Sequence, residues 1–227
     1  MIHLYHATKI HASGAEVLHN AFFSVAKGAW VVITGEGRTG KSTLLKMLCG
    51  EERTTWGRVV VDGSDPSKLD AAERSQWLSQ VGLIFPDLGL LPGRTLEENL
   101  LLPVLLRGGS PGPLRTRAHD LLEKAGLGGK GGYLPEELSQ SEQRMAAALR
   151  AILPQPVLLL ADEPFQGLSP RSSETLQALF AELHAGGSTL VVATADLRPE
   201  ASNGPVEVVR LAEGKLNPAS FQDRGGA

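Results

Sequence analysis

The sequence has little sulfur, few aromatic rings and no excess of one charge. Of 227 residues, one is cysteine, and aromatic residues make up 5%. Cys49 therefore has no partner for an intramolecular disulfide, which is compatible with a reducing cytosol. The net charge of −3, from 22 basic and 25 acidic residues, gives no electrostatic argument for a nucleic-acid partner. These absences argue against a disulfide-rich secreted protein and against a protein that binds nucleic acid.

Long apolar runs are also missing. The longest, "LLLPVLL" at 100–106, is interrupted by Pro103 and is much shorter than the roughly 18 residues that cross a bilayer. The N-terminal "MIHLYHATK" lacks the apolar region of a signal peptide. With 42% hydrophobic and 21% charged residues, the composition is typical of a globular domain. We expect a cytoplasmic chain, and one that would reach any membrane through a partner.

Short apolar strands alternate with amphipathic helices along much of the chain. The strands predicted to be buried are 30–34, 81–85, 157–161 and 189–194. Because buried strands separated by helices favour a parallel sheet with helices on both faces, the predicted class is α/β. Two earlier segments, "MIHLY" and "EVLHNAFFSV", are predicted to pair antiparallel. The segment "VEVVRLAEGKL" is predicted to close the sheet as a hairpin.

The middle of the chain, about 87–150, has helical patterns instead. Thr95 and Glu98 have the spacing of a capping box, in which each side chain binds the other residue's main-chain N–H. A second amphipathic helix follows in "GPLRTRAHDLLEKAGLG", after a predicted loop at 108–114. We therefore predict a single domain in which about 1–86 and 151–227 form the α/β core and 87–150 an inserted helical lobe.

The turn after the first buried strand has the pattern of a phosphate-binding loop. In "GEGRTGKS", glycines free the main-chain N–H groups to surround phosphate oxygens, and the following helix adds its dipole. Lys41 is predicted to reach the β- and γ-phosphates, and Ser42 to hold Mg²⁺. The predicted nucleotide-binding residues of this segment are Gly35, Glu36, Gly37, Arg38, Thr39, Gly40, Lys41, Ser42 and Thr43.

The strand "VLLLADE" supplies the second half of the predicted chemistry. An apolar strand that ends in Asp162 can place a carboxylate beside Mg²⁺, and Glu163 can orient and deprotonate the attacking water. Lys41 and Glu163 are thus the predicted catalytic residues, and Ser42 and Asp162 the predicted metal ligands. The predicted ligands are ATP and Mg²⁺.

The sequence resembles the ATP-binding subunits of ABC transporters in four segments and in their order. These segments are the P-loop, the "LSQSEQ" helix start, "LLLADEP" and "VVAT". The resemblance implies a P-loop NTPase (RecA-like) core with an N-terminal antiparallel β subdomain and an inserted helical lobe. It also implies an aromatic ring that stacks on adenine. His11 lies near the corresponding place, and Tyr5 is a nearby alternative.

Within that family, "LLKMLCGEERTTWGRVVVDG" and "FPDLGLLPGRTLEENLLLPVLLRG" are similar to the cell-division ATPases of the FtsE type, which work with the membrane protein FtsX. The lipoprotein-release and macrolide-export ATPases share part of this stretch. The resemblance implies a head-to-tail dimer, either a homodimer or a heterodimer with another ABC ATPase chain. It also implies an integral membrane partner, an FtsX-like permease.

Several positions depart from the family pattern, in parts that read the γ-phosphate or build the dimer interface. Pro86 replaces a glutamine, and Gln140 and Ser141 replace the two glycines of the signature sequence. Ser169 stands where the family has an aspartate, and Ala195 where it has a histidine. No departure falls on the predicted metal ligands or on Lys41. We therefore expect that ATP binding is kept and that hydrolysis is weakened.

Some of these substitutions also make good helix starts. Ser139 and Glu142 have capping-box spacing, and Ser169 followed by Pro170 is typical of a helix N-cap and first position. Three functional alternatives stay open at this point. The chain is a slow ATPase, a nucleotide-binding regulatory subunit without turnover, or one half of a heterodimer with a single active site.

Overall fold

The computed structural model describes residues 1–195 and 206–218. Within them the chain forms nine strands and six α-helices. The strands are β1 (Ile2–Ile10), β2 (Glu16–Val25), β3 (Trp30–Thr34), β4 (Trp56–Val61), β5 (Val81–Ile84), β6 (Leu158–Asp162), β7 (Thr189–Thr194), β8 (Val206–Ala212) and β9 (Lys215–Pro218). The helices are α1 (Lys41–Leu48), α2 (Ala71–Leu78), α3 (Leu96–Leu106), α4 (Gly112–Lys124), α5 (Gln140–Ile152) and α6 (Pro170–Ala185), with a short 3₁₀ helix at Pro135–Glu137.

The larger sheet has six strands in the order β5-β6-β7-β3-β8-β9. Its first five strands are parallel, and β9 pairs antiparallel with β8. Each side chain of β3 is buried, as expected for a strand covered on both faces. Trp30 and Val32 pack against α3, α5 and α6, whereas Val31 and Ile33 pack against α1 and the N-terminal strands. The predicted parallel α/β sheet and closing hairpin are confirmed.

A smaller antiparallel sheet has the order β2-β1-β4. Ile2 lies opposite both Val25 and Val61, so β1 is the central strand. The predicted antiparallel pair is confirmed, although β1 continues beyond "MIHLY" to Ile10. The third strand of this sheet is β4, which pairs antiparallel with β1.

The helical segment follows the sequence signals closely at its start. Thr95 Oγ1 accepts from Glu98 N at 3.3 Å, and Glu98 Oε2 accepts from Thr95 N at 2.9 Å, which confirms the capping box. The predicted loop at 108–114 is wrong in its last residues, because α4 begins at Gly112. Proline is tolerated in the first turn of a helix, where its missing N–H would have no helical partner, and so the Gly-Pro pair there does not prevent the helix.

Two features of the helices could not be predicted from hydrophobic patterns. Helix α2 was not anticipated, since it buries none of its residues and therefore lacks an apolar stripe. Its capping box of Asp70 and Glu73 is the signal that could have found it. Helix α5 runs to Ile152, so the proposed boundary of the lobe at about 150 falls inside a helix. Among residues 1–195 and 206–218, no helix is long and apolar enough to cross a membrane.

Candidate nucleotide-binding site

The carboxyl ends of the parallel strands gather the predicted site residues at one edge of the sheet. Thr34 lies opposite Thr194, and Asp162 lies opposite Ala193, so the segments after β3, β6 and β7 leave the sheet side by side. Pro86 follows β5, whose Ile84 lies opposite Ala161. Ligands of open α/β sheets bind at this edge.

The P-loop connects β3 to α1, and at two of its positions only glycine fits the available space. A Cβ on Gly35 would lie 2.5 Å from the carbonyl oxygen of Leu211 in β8. A Cβ on Gly40 would lie 2.9 Å from the carbonyl oxygen of Val17 in β2, and Gly40 also has a φ of +100°. The neighbouring strands therefore set the shape of the loop, and glycine permits both the close approach and the left-handed turn.

Lys41 is held at the mouth of this loop. Its Nζ donates to the carbonyl oxygens of Gly35 at 2.7 Å and Glu36 at 3.1 Å. It also lies 3.8 Å from Glu163 Oε1, and the side chain is 7% exposed. The ammonium group thus lies between the P-loop and the carboxylate after β6, where a phosphate could bind to it.

Asp162 is the most unusual carboxylate of the site. It is 2% exposed, and neither of its carboxylate oxygens has a hydrogen-bond partner within the described part of the chain. Burial raises its pKa, and the charge of Glu163 adds to that rise. The Ser42 side chain acts in the opposite direction, followed by Lys41. A buried polar group without a partner costs about 1–3 kcal/mol, so this arrangement favours a ligand for Asp162.

Glu163 is oriented by the main chain after β7. Both carboxylate oxygens lie near Ala195 N, which donates to Oε1 at 2.9 Å and to Oε2 at 3.2 Å. Its own N–H donates to the carbonyl oxygen of Ala193 at 2.8 Å. Glu163 has a φ of +47°, a left-handed conformation that non-glycine residues seldom adopt and that occurs often at functional sites.

The sequence did not reveal this role of residue 195. Ala195 lacks the imidazole that the family resemblance implies, yet its N–H donates to the carboxylate of Glu163. A main-chain hydrogen bond has no sequence signal, because every residue except proline can donate it.

His11 follows β1 and reaches the helix that starts at the P-loop. Its Nε2 lies 3.2 Å from Thr43 Oγ1, and its Nδ1 lies 3.9 Å from Glu52 Oε2. Tyr5 lies in the middle of β1, with the Arg58 guanidinium 4.7 Å from its ring centroid. Of the two rings proposed for adenine, His11 is therefore the one in contact with the P-loop helix, and its stacking on adenine stays a prediction.

The signature segment forms a complete helix start. Ser139 Oγ accepts from Glu142 N at 3.3 Å, and Glu142 Oε2 accepts from Ser139 N at 2.9 Å, so the predicted capping box is confirmed. Lys130 Nζ also donates to Glu142 Oε1 at 2.5 Å, and this contact, followed by that with Ser139, lowers the pKa of Glu142. Gln140 is exposed in the first turn and Ser141 is half-buried.

The segment after Glu163 also ends in a helix start. Ser169 Oγ accepts from Ser172 N at 3.1 Å, and Pro170 occupies the first helical position of α6. This N-cap confirms the helix start predicted there. Serine thus fills, at residue 169, a structural role that an aspartate could also fill.

Comparison with known proteins gives a consistent result. Residues 18–166 match the ABC transporter family. The chain is 35% identical over 217 residues to the cell division ATP-binding protein FtsE of Escherichia coli K12, covering 96% of this chain and 97% of that protein. It is 36% identical over 202 residues to an uncharacterized ABC transporter ATP-binding protein of Thermotoga maritima, covering 88% of this chain and 86% of that protein. A solved dimeric structure of the ATP-binding cassette MJ0796, in a post-hydrolysis state bound to ADP and phosphate, is similar with a TM-score of 0.84 and 28% identity, over 95% of this chain and 96% of that one.

Proposed function

The chain belongs to the ATP-binding subunits of ABC transporters, and we propose that it is the FtsE-like ATPase of a membrane complex, with slow turnover. Membership of this family makes the chain an ATP-binding ATPase with a P-loop NTPase fold. Our proposal adds the residues of the site, the metal, the dimer, a role in cell division and a position at the inner face of the membrane.

One observation supports the site above the others. Lys41, held by the P-loop carbonyls, lies 3.8 Å from Glu163, directly beside the buried and unpartnered Asp162. A cation, a catalytic carboxylate and a carboxylate in need of a ligand thus meet where the P-loop N–H groups would bind phosphates. This set of groups matches what phosphoryl transfer requires, namely positioning and charge stabilisation.

The residues present suit Mg²⁺. The unpartnered oxygens of Asp162 are the hard donors that this ion prefers, and the hydroxyl of Ser42 lies beside them. In our proposal, these two side chains hold the ion together with the phosphates of ATP. When bound, Mg²⁺ would neutralise charge on the β- and γ-phosphates.

Glu163 would act as the general base. The N–H of Ala195 holds its carboxylate at the edge of the sheet, so that one oxygen can accept a proton from the water that attacks the γ-phosphate. Lys41 would release Glu163 when the phosphates bind, because the ammonium then has a stronger partner. The base is therefore free only in the nucleotide-bound state.

The proposed dimer explains why turnover should be slow. In a head-to-tail dimer, the signature segment of one chain faces the γ-phosphate on the other. The side chains of Gln140 and Ser141 occupy space that glycines would leave open. Pro86 brings no amide to the site, and Ala195 brings no imidazole. Losing one positioning group commonly costs roughly 100- to 1000-fold in rate, so several losses should slow hydrolysis while binding continues.

An apolar groove supports the proposed membrane partner. Its volume is about 800 Å³, and it lies between α2, β5, α3 and the end of α5. The α3 residues Leu102, Pro103 and Leu106 line it, and Leu106 is 77% exposed. Arg107 and Arg150 lie at the same groove. We propose that a short helix of an FtsX-like permease docks here.

The experiment that tests this function is steady-state phosphate release by the purified chain, with and without the membrane partner in lipid vesicles. Glu163→Gln should release phosphate at least roughly 100-fold more slowly than the wild type, because the base is lost, and should still bind MgATP. Asp120→Asn, at an exposed carboxylate far along α4, is the matched control and should behave as the wild type.

Two other functions predict different results. If wild type and Glu163→Gln release phosphate equally slowly in all conditions but bind MgATP, the chain is a regulatory subunit without turnover. The self-contained helix start at Ser139 favours this second candidate, since it needs no opposing nucleotide. A complex with another ABC ATPase that has one fast and one silent site would instead indicate a heterodimer. If the wild type binds no MgATP, the proposed function fails.

A further inference from the structure

The groove between α2, β5, α3 and the end of α5 carries positive charge and no negative charge. Its lining includes Arg107 and Arg150, and none of the residues that line it in the described part of the chain is an aspartate or a glutamate. Leu102, Pro103 and Leu106 form its α3 wall. A segment that enters this groove therefore meets an apolar wall and two cations.

The two cations differ in what the chain supplies to them. Arg150 donates from Nη1 to the carbonyl oxygen of Gly89 and from Nη2 to that of Leu88, both at 2.6 Å. Burial lowers the pKa of Arg150, and the charge of Asp87 opposes that effect. The guanidinium of Arg150 thus already has its hydrogen-bond acceptors and a counter-charge inside the chain.

Arg107 has neither. It is exposed at the C-terminal end of α3, and within residues 1–195 and 206–218 its side chain makes no hydrogen bond or ion pair. Partial burial lowers the pKa of this guanidinium, and no acidic group among the described residues opposes that effect. A partly desolvated cation without a counter-charge is stabilised by an anion that comes from outside the chain.

The sequence around Arg107 excludes a nearby carboxylate. Residues 99–119 contain three arginines and no acidic residue, although the whole chain has a net charge of −3. Arg115 pairs with Glu97 at 2.6 Å, and Arg117 Nε donates at 3.0 Å to the carbonyl oxygen of the residue after α5. Of these three arginines, Arg107 is the one without a partner in the described chain, and it is the one that lines the groove.

We propose that the segment of the membrane partner that enters this groove is an amphipathic helix with an aspartate or glutamate beside its apolar face, and that this carboxylate pairs with Arg107. The inference rests on the proposed function, because it takes a membrane partner as the occupant of the groove. The apolar face of such a helix would pack against the α3 wall, where Leu106 is 77% exposed. The paired N–H donors of Arg107 would fix the position of the helix along the groove.

The charge also selects among partners. A helix of the same shape without the carboxylate would cover Arg107 and leave its guanidinium desolvated and unpaired, which disfavours that helix. The groove is therefore specific for an acidic amphipathic segment and disfavours a basic one.

The test measures co-sedimentation of the purified chain with lipid vesicles that contain the FtsX-like permease, against empty vesicles of the same lipids. We expect Arg107→Gln to bind the permease vesicles roughly 10-fold more weakly than the wild type. Arg107→Glu should bind roughly 100-fold more weakly, because two like charges then meet, and Arg107→Lys should keep most of the affinity. Added salt should weaken binding of the wild type more than binding of Arg107→Gln.

Arg94→Gln is the charge-matched control. Arg94 precedes the opposite end of α3 and pairs with Glu98, so this variant should bind the permease vesicles as the wild type does. A cation at the C-terminal end of a helix also stabilises that helix. Binding is therefore measured at a temperature at which a thermal melt shows each variant to be folded.

An exchange of charges gives the decisive result. Each acidic residue in the cytoplasmic segments of the permease is replaced by lysine in turn. One of these replacements should weaken binding of the wild type and restore binding of Arg107→Glu, because the pair is then re-formed with its charges reversed.

The outcomes separate this inference from the proposed function. Rescue by the exchanged charges supports the inference. Wild-type binding by Arg107→Gln and Arg107→Glu, or a loss of binding that no exchange restores, overturns it and leaves the proposed function intact. Equal binding of the wild type to empty vesicles would assign the groove to lipid, and self-association that Arg107→Glu abolishes would assign it to a second copy of the chain; either result overturns the inference. A wild type that binds MgATP but not the permease vesicles overturns the inference together with the proposed partner.

Discussion

At the P-loop edge of the sheet, one buried carboxylate lacks a partner within residues 1–195 and 206–218, whereas Ser139 and Glu142 at the start of α5 bind each other. Asp162 is buried, and neither of its carboxylate oxygens has a hydrogen-bond partner among the described residues. Ser139 and Glu142, by contrast, bind each other's main chain, and Lys130 closes the network. Buried polar groups in native proteins normally have partners, and a carboxylate that lacks one beside Lys41 favours a ligand. The capping network of Ser139, Glu142 and Lys130, in contrast, is complete without one.

The largest expected effect comes from returning glycines to the start of α5. Gln140→Gly combined with Ser141→Gly should raise the rate of phosphate release by roughly 100-fold, because an opposing γ-phosphate could then approach the main chain. Ser139 and Glu142 are unchanged, so the capping box stays. The measurement is kcat for phosphate release at saturating MgATP.

The matched control is Arg171→Gly, at the same position of α6 as Ser141 in α5. It tests whether a glycine in a first helical turn changes turnover by itself, and we expect no change in rate. If the double variant is as slow as the wild type at unchanged stability, the contrast between the two regions is not the reason for slow hydrolysis.

A second effect should come from Asp162. Asp162→Asn removes a buried charge but leaves a buried amide without a partner, so the nucleotide-free protein should gain, in the free energy of unfolding, less than the about 1–3 kcal/mol that an unpaired polar group costs. At this chain length, each kcal/mol raises the melting temperature by about 2–4 °C. The same variant should lose the extra stabilisation that MgATP gives over ATP with a chelator. Thermal melts with and without Mg²⁺ measure both effects.

The raised pKa of Asp162 also determines the direction in which the stability of the fold changes with pH. The folded state holds this proton more tightly than the unfolded state, so protons are released on unfolding and stability falls as pH rises. The fall begins near the ordinary aspartate pKa of about 3.9 and ends above the raised folded pKa. Asp162→Asn should lack this component, and Asp120→Asn should keep it. Identical pH profiles for wild type and Asp162→Asn would contradict the assignment of a buried, unpartnered carboxylate.

The two regions also differ in how far the sequence predicts them. The bounds of β2, β3 and β7 agree with the apolar patterns, and the helix starts at Thr95, Ser139 and Ser169 agree with their capping signals. These are local rules, in which a few side chains decide the outcome. The P-loop is predictable for the same reason, since Gly35, Gly37, Gly40 and Lys41 all fall within one short segment of the sequence.

What the sequence does not reveal depends on distant contacts or on the main chain. That Asp162 is buried follows from the position of β6 between β5 and β7, and that its oxygens have no partner among the described residues is seen only in the structure. That Glu163 binds the N–H of Ala195 depends on a partner 32 residues away, through an atom common to nearly all residues. Helix α2 was missed because it covers the sheet edge without burying an apolar stripe. Such features require coordinates.

The smallest expected effect concerns Ser169, where α6 begins. Ser169→Ala should lower the free energy of unfolding by about 1 kcal/mol, because Ser172 N loses its acceptor. Ser169→Asp should cost nothing, since aspartate caps equally well and its charge favours a helix N-terminus. Denaturant melts of both variants measure the difference, and phosphate release shows whether the added carboxylate also speeds turnover. If Ser169→Asp is faster at unchanged stability, serine at this position costs turnover without adding stability. If it is not faster, residue 169 is purely structural, and the contrast with Asp162 becomes sharper. The nucleotide site and the helix starts then contain hydroxyls and carboxylates of similar chemistry. They differ only in whether the chain itself supplies the hydrogen-bond partners of these groups.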